Sequence, residues 1–391
     1  MASLCTRCAL RLRRAAAADA FISRPFTSTT TRNAHAIPKF TETSNAELDD
    51  VLATMRSKHF IPANLTPAQR RLIFGKQGRV ELASNPQTIE IAQERIELKW
   101  LDRRTEIPNR SKLFRQAVEL MVQDGSREAW GNLLQLLIGL RRSGVEIKKM
   151  EMERVIRLAI DNGHFDAILQ CLARADETSM QLTRPEVLEG VLLGLRKLGQ
   201  ADGWSQQSIQ SAMARGLAVA QLLEMDIHGG GKKMKAQDLR RDPRVIGLYL
   251  ELSAVFAQKH QAGKDVDGRV KAYSERLLYN LEGSKDVSRV YCNRNVTPLS
   301  LTPRQITITE PATYGPYNDI MLSIPILHGL KIAQKILAMD MPSPMLAAEV
   351  VKNYQGALGK LVQELEQRHP NPAVGGYVGQ VLTAWSENQG A

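Results

Sequence analysis

From Lys112 onward, apolar residues recur every three or four positions in short blocks, and a glycine closes most of them. Leu113, Phe114, Ala117, Val118 and Met121 precede Gly125. Ala129, Trp130, Leu133, Leu134, Leu137 and Ile138 precede Gly144, and Met152, Val155, Ile156, Ala159 and Ile160 precede Gly163. Phe165, Ile168, Leu169 and Leu172 follow, then Val187, Leu188, Val191, Leu192 and Leu195 before Gly199. This period puts each block on one face of a helix, and a glycine can take the left-handed backbone that ends one. Short helices with two-sided stripes cannot bury themselves alone, so neighbours must pair as hairpins and the hairpins must stack. The pattern predicts an all-α, α-solenoid-like fold of stacked helical hairpins with degenerate repeats, preceded by a basic N-terminal extension. Aromatic residues make up only 5% of the chain, which favours helix packing over a β-sandwich.

Comparable units start at Ser111-Lys112, Lys148-Lys149 and Leu182-Thr183, about 37 and 34 residues apart. Periods near 34 with two helices each mark tetratricopeptide-class arrays. Asn162-Gly163-His164-Phe165-Asp166-Ala167-Ile168-Leu169 resembles the inter-helix turn and second helix of a pentatricopeptide repeat. Arg142-Ser143-Gly144-Val145-Glu146-Ile147 resembles the end of one, with Ile147 where proline is usual. In the third unit, Gln200 to Ser205 reads as an insertion between the helices. The resemblance covers residues 112–228. Base-reading members of that family place polar side chains at fixed positions over many repeats. Here the first helices offer mostly apolar side chains, Arg154 and Glu186 among the exceptions, so sequence-specific reading is not implied.

Outside this array the signals are local. Ser44 or Asn45 can cap a helix through Leu48, Val51, Leu52 and Met55, within an otherwise linker-like 36–65. Thr66-Pro67 opens a second helix that ends at Gly75. Ile89, Ala92, Ile96 and Trp100 predict a helix from Pro86 to Arg104, broken by Pro108. Gly229-Gly230-Gly231-Lys232-Lys233 reads as a flexible basic loop. Helices are expected at 243–260, 266–282, 318–339 with an interruption at Pro325, 344–367 and 373–386. Residues 284–318 form a loop-rich insert, within which Gln305 to Thr309 could be extended.

The first 35 residues carry six arginines against Asp19 alone, an alanine run at 15–18 and Ser/Thr at 27–31. Arg-rich, Ser-rich, acid-poor and amphipathic describes a mitochondrial transit peptide. Arg24-Pro25-Phe26 resembles a matrix-peptidase site, which places the mature start between Thr27 and His35. The expected organisation is a transit peptide at 1–35, a basic extension at 36–110, helical repeats at 111–228, and a helical C-terminal region at 229–391. The expected location is the mitochondrial matrix. The presequence removes +5 of the net +11. Of what remains, Arg56 to Arg115 holds thirteen Lys/Arg against six Asp/Glu, and the rest is near neutral. A basic end on a neutral helical body fits contact with a polyanion: ribosomal RNA, tRNA or mRNA, or cardiolipin.

Catalytic and metal patterns do not emerge. Gly75-Lys76-Gln77-Gly78 lacks the spacing and the Ser/Thr of a phosphate-cradling loop, and no strand precedes it. The seven histidines show no metal spacing. Cys5 and Cys8 fall in the presequence, while Cys171 and Cys292 read as small core residues. The expectation is no enzyme, no cofactor, no metal and no small-molecule substrate. No run of 18 apolar residues occurs, so no transmembrane helix is expected. The basic segment interleaves charge with Phe74 and Trp100. Arg70, Arg71, Lys76, Arg79, Lys99, Arg103, Arg104 and Arg110, with Lys232 and Lys233, are the candidate RNA contacts. Arginine or an aromatic ring can also stack on an unpaired base.

Together these features resemble the degenerate helical-repeat proteins of fungal mitochondria, in particular accessory proteins of the mitochondrial ribosome large subunit. That resemblance implies a non-catalytic partner of ribosomal proteins and of the rRNA or tRNA backbone. Two alternatives stay open: an RNA-binding factor for mitochondrial mRNA processing, stability or translation, and an assembly factor for a respiratory complex.

Overall fold

The structure is a computed structural model that describes residues 36–91, 93–235, 238–291, 315–372 and 376–390. The expected transit peptide at 1–35 and the expected extended stretch at 305–309 lie outside the described residues, as do Cys5, Cys8 and Cys292.

Helix α1 (Ala46–Met55) starts where the Asn45 side chain accepts from the Glu47 and Leu48 N–H groups. It runs into a π-helical turn (Arg56–Phe60) and then α2 (Ile61–Asn64). The wider turn brings two consecutive residues, His59 and Phe60, to the interior. Helix α3 (Pro67–Phe74) carries a full capping box between Thr66 and Gln69, and α4 (Lys76–Ser84) follows.

The expected helix at 86–104 is absent. An antiparallel hairpin, β1 (Thr88–Ile91) and β2 (Glu94–Glu97), stands there with Ile89 opposite Ile96 and Glu90 opposite Arg95. The misreading has a physical cause. Thr-Ile-Glu-Ile alternates polar and apolar residues with period two, burial along β2 alternates too, and Ile89 and Ile96 fit a helical spacing by coincidence. Gln93 sits at φ +68° and closes the tight turn.

The array follows. Its elements are α5 (Arg110–Asp124), α6 (Arg127–Arg142), α7 (Lys149–Asp161), α8 (Phe165–Ala173), α9 (Ala175–Thr178), α10 (Pro185–Trp204) and α11 (Gln206–Leu223). First helices α5, α7 and α10 pack side by side, as do α6, α8 and α11 behind them. Gly125, Gly144 and Gly163 take φ of +66°, +73° and +80°, so these three glycines end helices as their spacing predicted. Gly199 itself keeps helical backbone, but α10 breaks just after it, where Ala201, Asp202 and Gly203 leave helical geometry, so the expected insertion at Gln200 to Ser205 falls on this break. Gly199 is buried, and a Cβ there would lie 2.7 Å from Leu252.

The remaining helices are α12 (Pro243–His260), α13 (Arg269–Tyr291), α14 (Gly315–Leu337), α15 (Pro344–Arg368) and α16 (Tyr377–Gly390). Helix α14 packs against α12, α13, α15 and α16. Ile320–Asp340 is long and apolar enough to cross a membrane, which counting uninterrupted apolar runs overlooks. Here 72% of its most apolar window is buried inside the protein, as a core helix would be. At the α12–α14 crossing, a Cβ on Gly247 would come 2.4 Å from Ile326, so the helices approach by omitting a side chain.

One contiguous apolar cluster runs from Ile37 to Ala384. The extension joins it directly. Asn132 of α6 exchanges two 2.8 Å hydrogen bonds with the Thr41 backbone, accepting from its N–H and donating to its carbonyl. Phe60 lies over Gly139, where a Cβ would be 2.3 Å from the ring.

Candidate nucleic-acid interface

The basic segment is held by its own aromatic residues. Trp100 donates to the Gly75 carbonyl at 2.9 Å, and the Leu101 N–H donates to Ile73 at 2.8 Å. These bonds fold the chain after β2 back onto α3 and α4. The Arg79 guanidinium then lies 5.1 Å from the Trp100 ring centre, and that of Arg103 lies 4.3 Å from Phe74. Each ring carries an arginine on one face, so these aromatics serve as platforms that orient cations.

Three of the predicted residues meet in one place. Arg70, Arg103 and Arg110 line a cleft of about 470 Å³ between α2, α3, the segment before α5 and the end of α6. Lys58, His59 and Arg142 line it too, and no carboxylate does. Arg70 donates to the Ala63 carbonyl at 2.6 Å. Half-buried Arg110 donates through Nε to His59 Nδ1 at 3.3 Å and reaches the Ser143 carbonyl at 3.5 Å. Among the described residues, Arg70, Arg103 and Arg110 have no carboxylate within 4.0 Å. Lys58 and Arg142 are partly neutralised, by Glu106 at 3.5 Å and by Glu177.

The titration behaviour follows from this. Burial with no counter-charge pulls the Arg110 pKa below its ordinary value. Burial, and then the Arg110 charge, lower that of His59, while the Pro108 carbonyl opposes them. Because Nδ1 accepts from Arg110, the neutral ring carries its proton on Nε2. That nitrogen is buried and makes no hydrogen bond, the Pro108 carbonyl lying near but outside bonding geometry.

The other predicted residues are more dispersed. Arg71, Lys76 and Arg104 are exposed. The Arg104 N–H donates to Asp102, which with the Thr105 hydroxyl holds that carboxyl below its usual range. Lys99 is exposed and 3.9 Å from Glu97. Lys232 and Lys233 are exposed on the loop after α11 and line no part of the cleft. Arg240 donates to the Gly231 carbonyl just before them at 2.9 Å. Sequence reasoning passed over Lys58, His59 and Arg142. The first two sit on the π-helical turn, which no local pattern announces, and Arg142 entered only as part of the segment resembling a repeat end. Among the described residues there is no group of three or more potential metal ligands. Cys171 is buried, with its thiol pushed up to about 12, which makes it an unreactive packing residue.

The "Small ribosomal subunit protein mS27" of Neurospora crassa is 28% identical over 274 residues, covering 66% of this chain and 68% of that protein. The family profile of "Mitochondrial ribosomal protein mS27" matches residues 24–387. The relative is a small-subunit protein, which corrects the expectation of a large-subunit one. A match across nearly the whole chain also sets aside the transcript factor and the respiratory assembly factor. The chain belongs to the mitochondrial ribosomal protein mS27 family and is a structural component of the mitochondrial ribosome.

Proposed function

We propose that the protein is a non-catalytic component of the mitochondrial small ribosomal subunit, working in the matrix without cofactor or small-molecule substrate. It docks on ribosomal RNA through the basic face of residues 56–115, and on neighbouring ribosomal proteins through the helical array. The presequence at 1–35 delivers it, the extension at 36–110 meets the RNA, and the helices at 111–228 and 229–391 form the body. The array is a degenerate pentatricopeptide-type one used as a scaffold. The observation that carries the RNA reading is the set of arginines without carboxylate partners, an arrangement suited to phosphate. With Trp100 and Phe74 each occupied by an arginine, backbone contact is favoured over base stacking.

A sucrose-gradient profile of mitochondrial lysate tests this reading. After EDTA separates the subunits, the protein is expected to co-migrate with the small subunit in equal stoichiometry. Migration with the large subunit, or retention at the top of the gradient, would overturn it.

A further inference from the structure

We propose that the cleft lined by Arg70, Arg103 and Arg110, with Lys58, His59 and Arg142 at its wall, seats the sugar-phosphate backbone of an RNA strand, one phosphate lying against Arg110. This rests on the ribosomal-RNA reading and names its principal anchor.

Three observations point to the ligand. The cleft wall carries five cations and no carboxylate, although Asp and Glu are plentiful elsewhere in the chain. Its volume of about 470 Å³ exceeds what a lone phosphate fills, and falls in the range of roughly 300–1,000 Å³ typical of ligand sites. His59 positions Arg110 for a ligand. Arg110 donates through Nε to the His59 ring and reaches the Ser143 carbonyl, which leaves its second terminal guanidinium nitrogen without an acceptor. A phosphodiester oxygen supplies that nitrogen with an acceptor and the arginine with a counter-charge.

A polymer fits better than a free ion. One phosphodiester neutralises one charge, whereas a strand brings one per nucleotide past Arg70, Arg103 and Arg142. Exposed Arg71 and Arg104 adjoin Arg70 and Arg103 in sequence, so the positive track continues outside the cleft. The two walls come from different parts of the chain. Lys58, His59 and Arg70 belong to the extension, and Arg142 ends the first repeat hairpin. A strand in the cleft would therefore also clamp the extension to the array.

The test measures binding of a short labelled single-stranded RNA to the full mature chain over a range of salt. The variants are Arg110→Gln, Arg103→Gln and His59→Phe, with Arg127→Gln on the exposed start of α6 as the control; thermal melts confirm folding. Inorganic phosphate and cardiolipin vesicles serve as competitors. Arg110→Gln and Arg103→Gln are each expected to weaken binding by roughly tenfold or more, and to flatten the log-log salt slope by about 0.7. His59→Phe, which keeps every charge, weakens binding and leaves the slope unchanged. Arg127→Gln does neither. If the cleft variants bind like the parent while Arg71→Gln with Lys76→Gln binds worse, the cleft assignment fails and the RNA reading stands. If the parent chain binds no RNA, both fail. If low-millimolar phosphate or the vesicles displace all RNA through these same residues, the occupant is a small phosphate or a lipid headgroup, and the strand assignment is overturned.

Discussion

Arginine does opposite work at the two ends of this molecule. In the C-terminal half it is neutralised from within. Arg196 of α10 meets Glu251 of α12 at 2.9 Å, both essentially inaccessible, and Glu251 also receives His328 of α14 at 2.7 Å. Arg240 pairs with Asp238 and Glu224, and Arg244 with Asp242 and Glu189. Around the N-terminal cleft, Arg70, Arg103 and Arg110 rest instead on carbonyls, an imidazole and an aromatic face. The first set ties helices together; the second stays electrically unsatisfied and available to a partner. A count of basic residues cannot distinguish them, because the difference lies in what packs beside each one.

The sharpest way to break this contrast is to remove the shared counter-charge of the buried set. Glu251→Gln leaves Arg196 inside the protein beside a neutral group. Breaking a buried pair in this way costs about 3–5 kcal/mol, read in a urea melt. RNA affinity at a permissive temperature should be unchanged. A loss under 1 kcal/mol would mean that the C-terminal charges are not structural.

A cleaner comparison adds one methyl group to each half. Gly139→Ala drives a Cβ into Phe60 at 2.3 Å, and Gly247→Ala drives one into Ile326 at 2.4 Å. Overpacking of this kind costs about 1–3 kcal/mol at either site. Only Gly139→Ala should also weaken RNA binding and expose residues 36–65 to protease, because Phe60 carries the neighbouring His59 into the cleft wall. Equal effects of both variants on RNA binding would show that the two halves are not separable in function.

Acidity should separate the buried carboxylate from the buried histidines by pH window. Arg196 and the His328 hydrogen bond outweigh burial and hold Glu251 at about 2, below the 4.5 of an unperturbed glutamate. The unfolded chain binds that proton first as pH falls. The carboxylate's contribution is therefore complete above 4.5 and is lost towards about 2. Histidine works in a higher window. His228 is buried, accepts from the Leu182 N–H at 3.1 Å and meets the Leu172 carbonyl at 3.1 Å. Burial lowers its pKa below 6.5, although the carbonyl opposes this. Its contribution is complete above 6.5 and declines as pH falls below that value. His59 follows the same sign. Melting temperature should thus fall in two stages, and His228→Gln should shrink the first and spare the second.

How much of this could be read in advance depends on the range of the interaction. The hairpin stripes, the stops at Gly125, Gly144 and Gly163, and the caps at Asn45 and Thr66 depend on residues within a turn or two, and they stood in the sequence. The β-hairpin was lost because Ile89 and Ile96, which pair across its two strands, also lie seven positions apart, as on one face of a helix. Gly199 marked the end of its stripe correctly, two residues before the break at Ala201, but its close approach to Leu252, some fifty positions away, has no local signal. The cleft is legible only in part. Arg70, Arg103 and Arg110 could be named from local charge, but Arg142 joins them through tertiary packing, and His59 through a π-helical turn.

The smallest expected effect probes a third class of cation, on the outer surface of the array. Arg154 of α7 meets Glu119 of α5 at 2.8 Å, and Arg115 of α5 meets Glu151 of α7 at 2.5 Å. The geometry is good, yet Glu119 is 54% exposed and Arg115 is 51% exposed. Water and salt screen such pairs, and ordering two long side chains offsets much of the attraction. Glu119→Gln should therefore cost only about 0.2–1 kcal/mol, and the difference should vanish near 1 M salt, where the screening length is about 3 Å. A larger, salt-insensitive loss would place this pair with the buried set. The dividing line between structural and available cations would then be the presence of a carboxylate rather than burial.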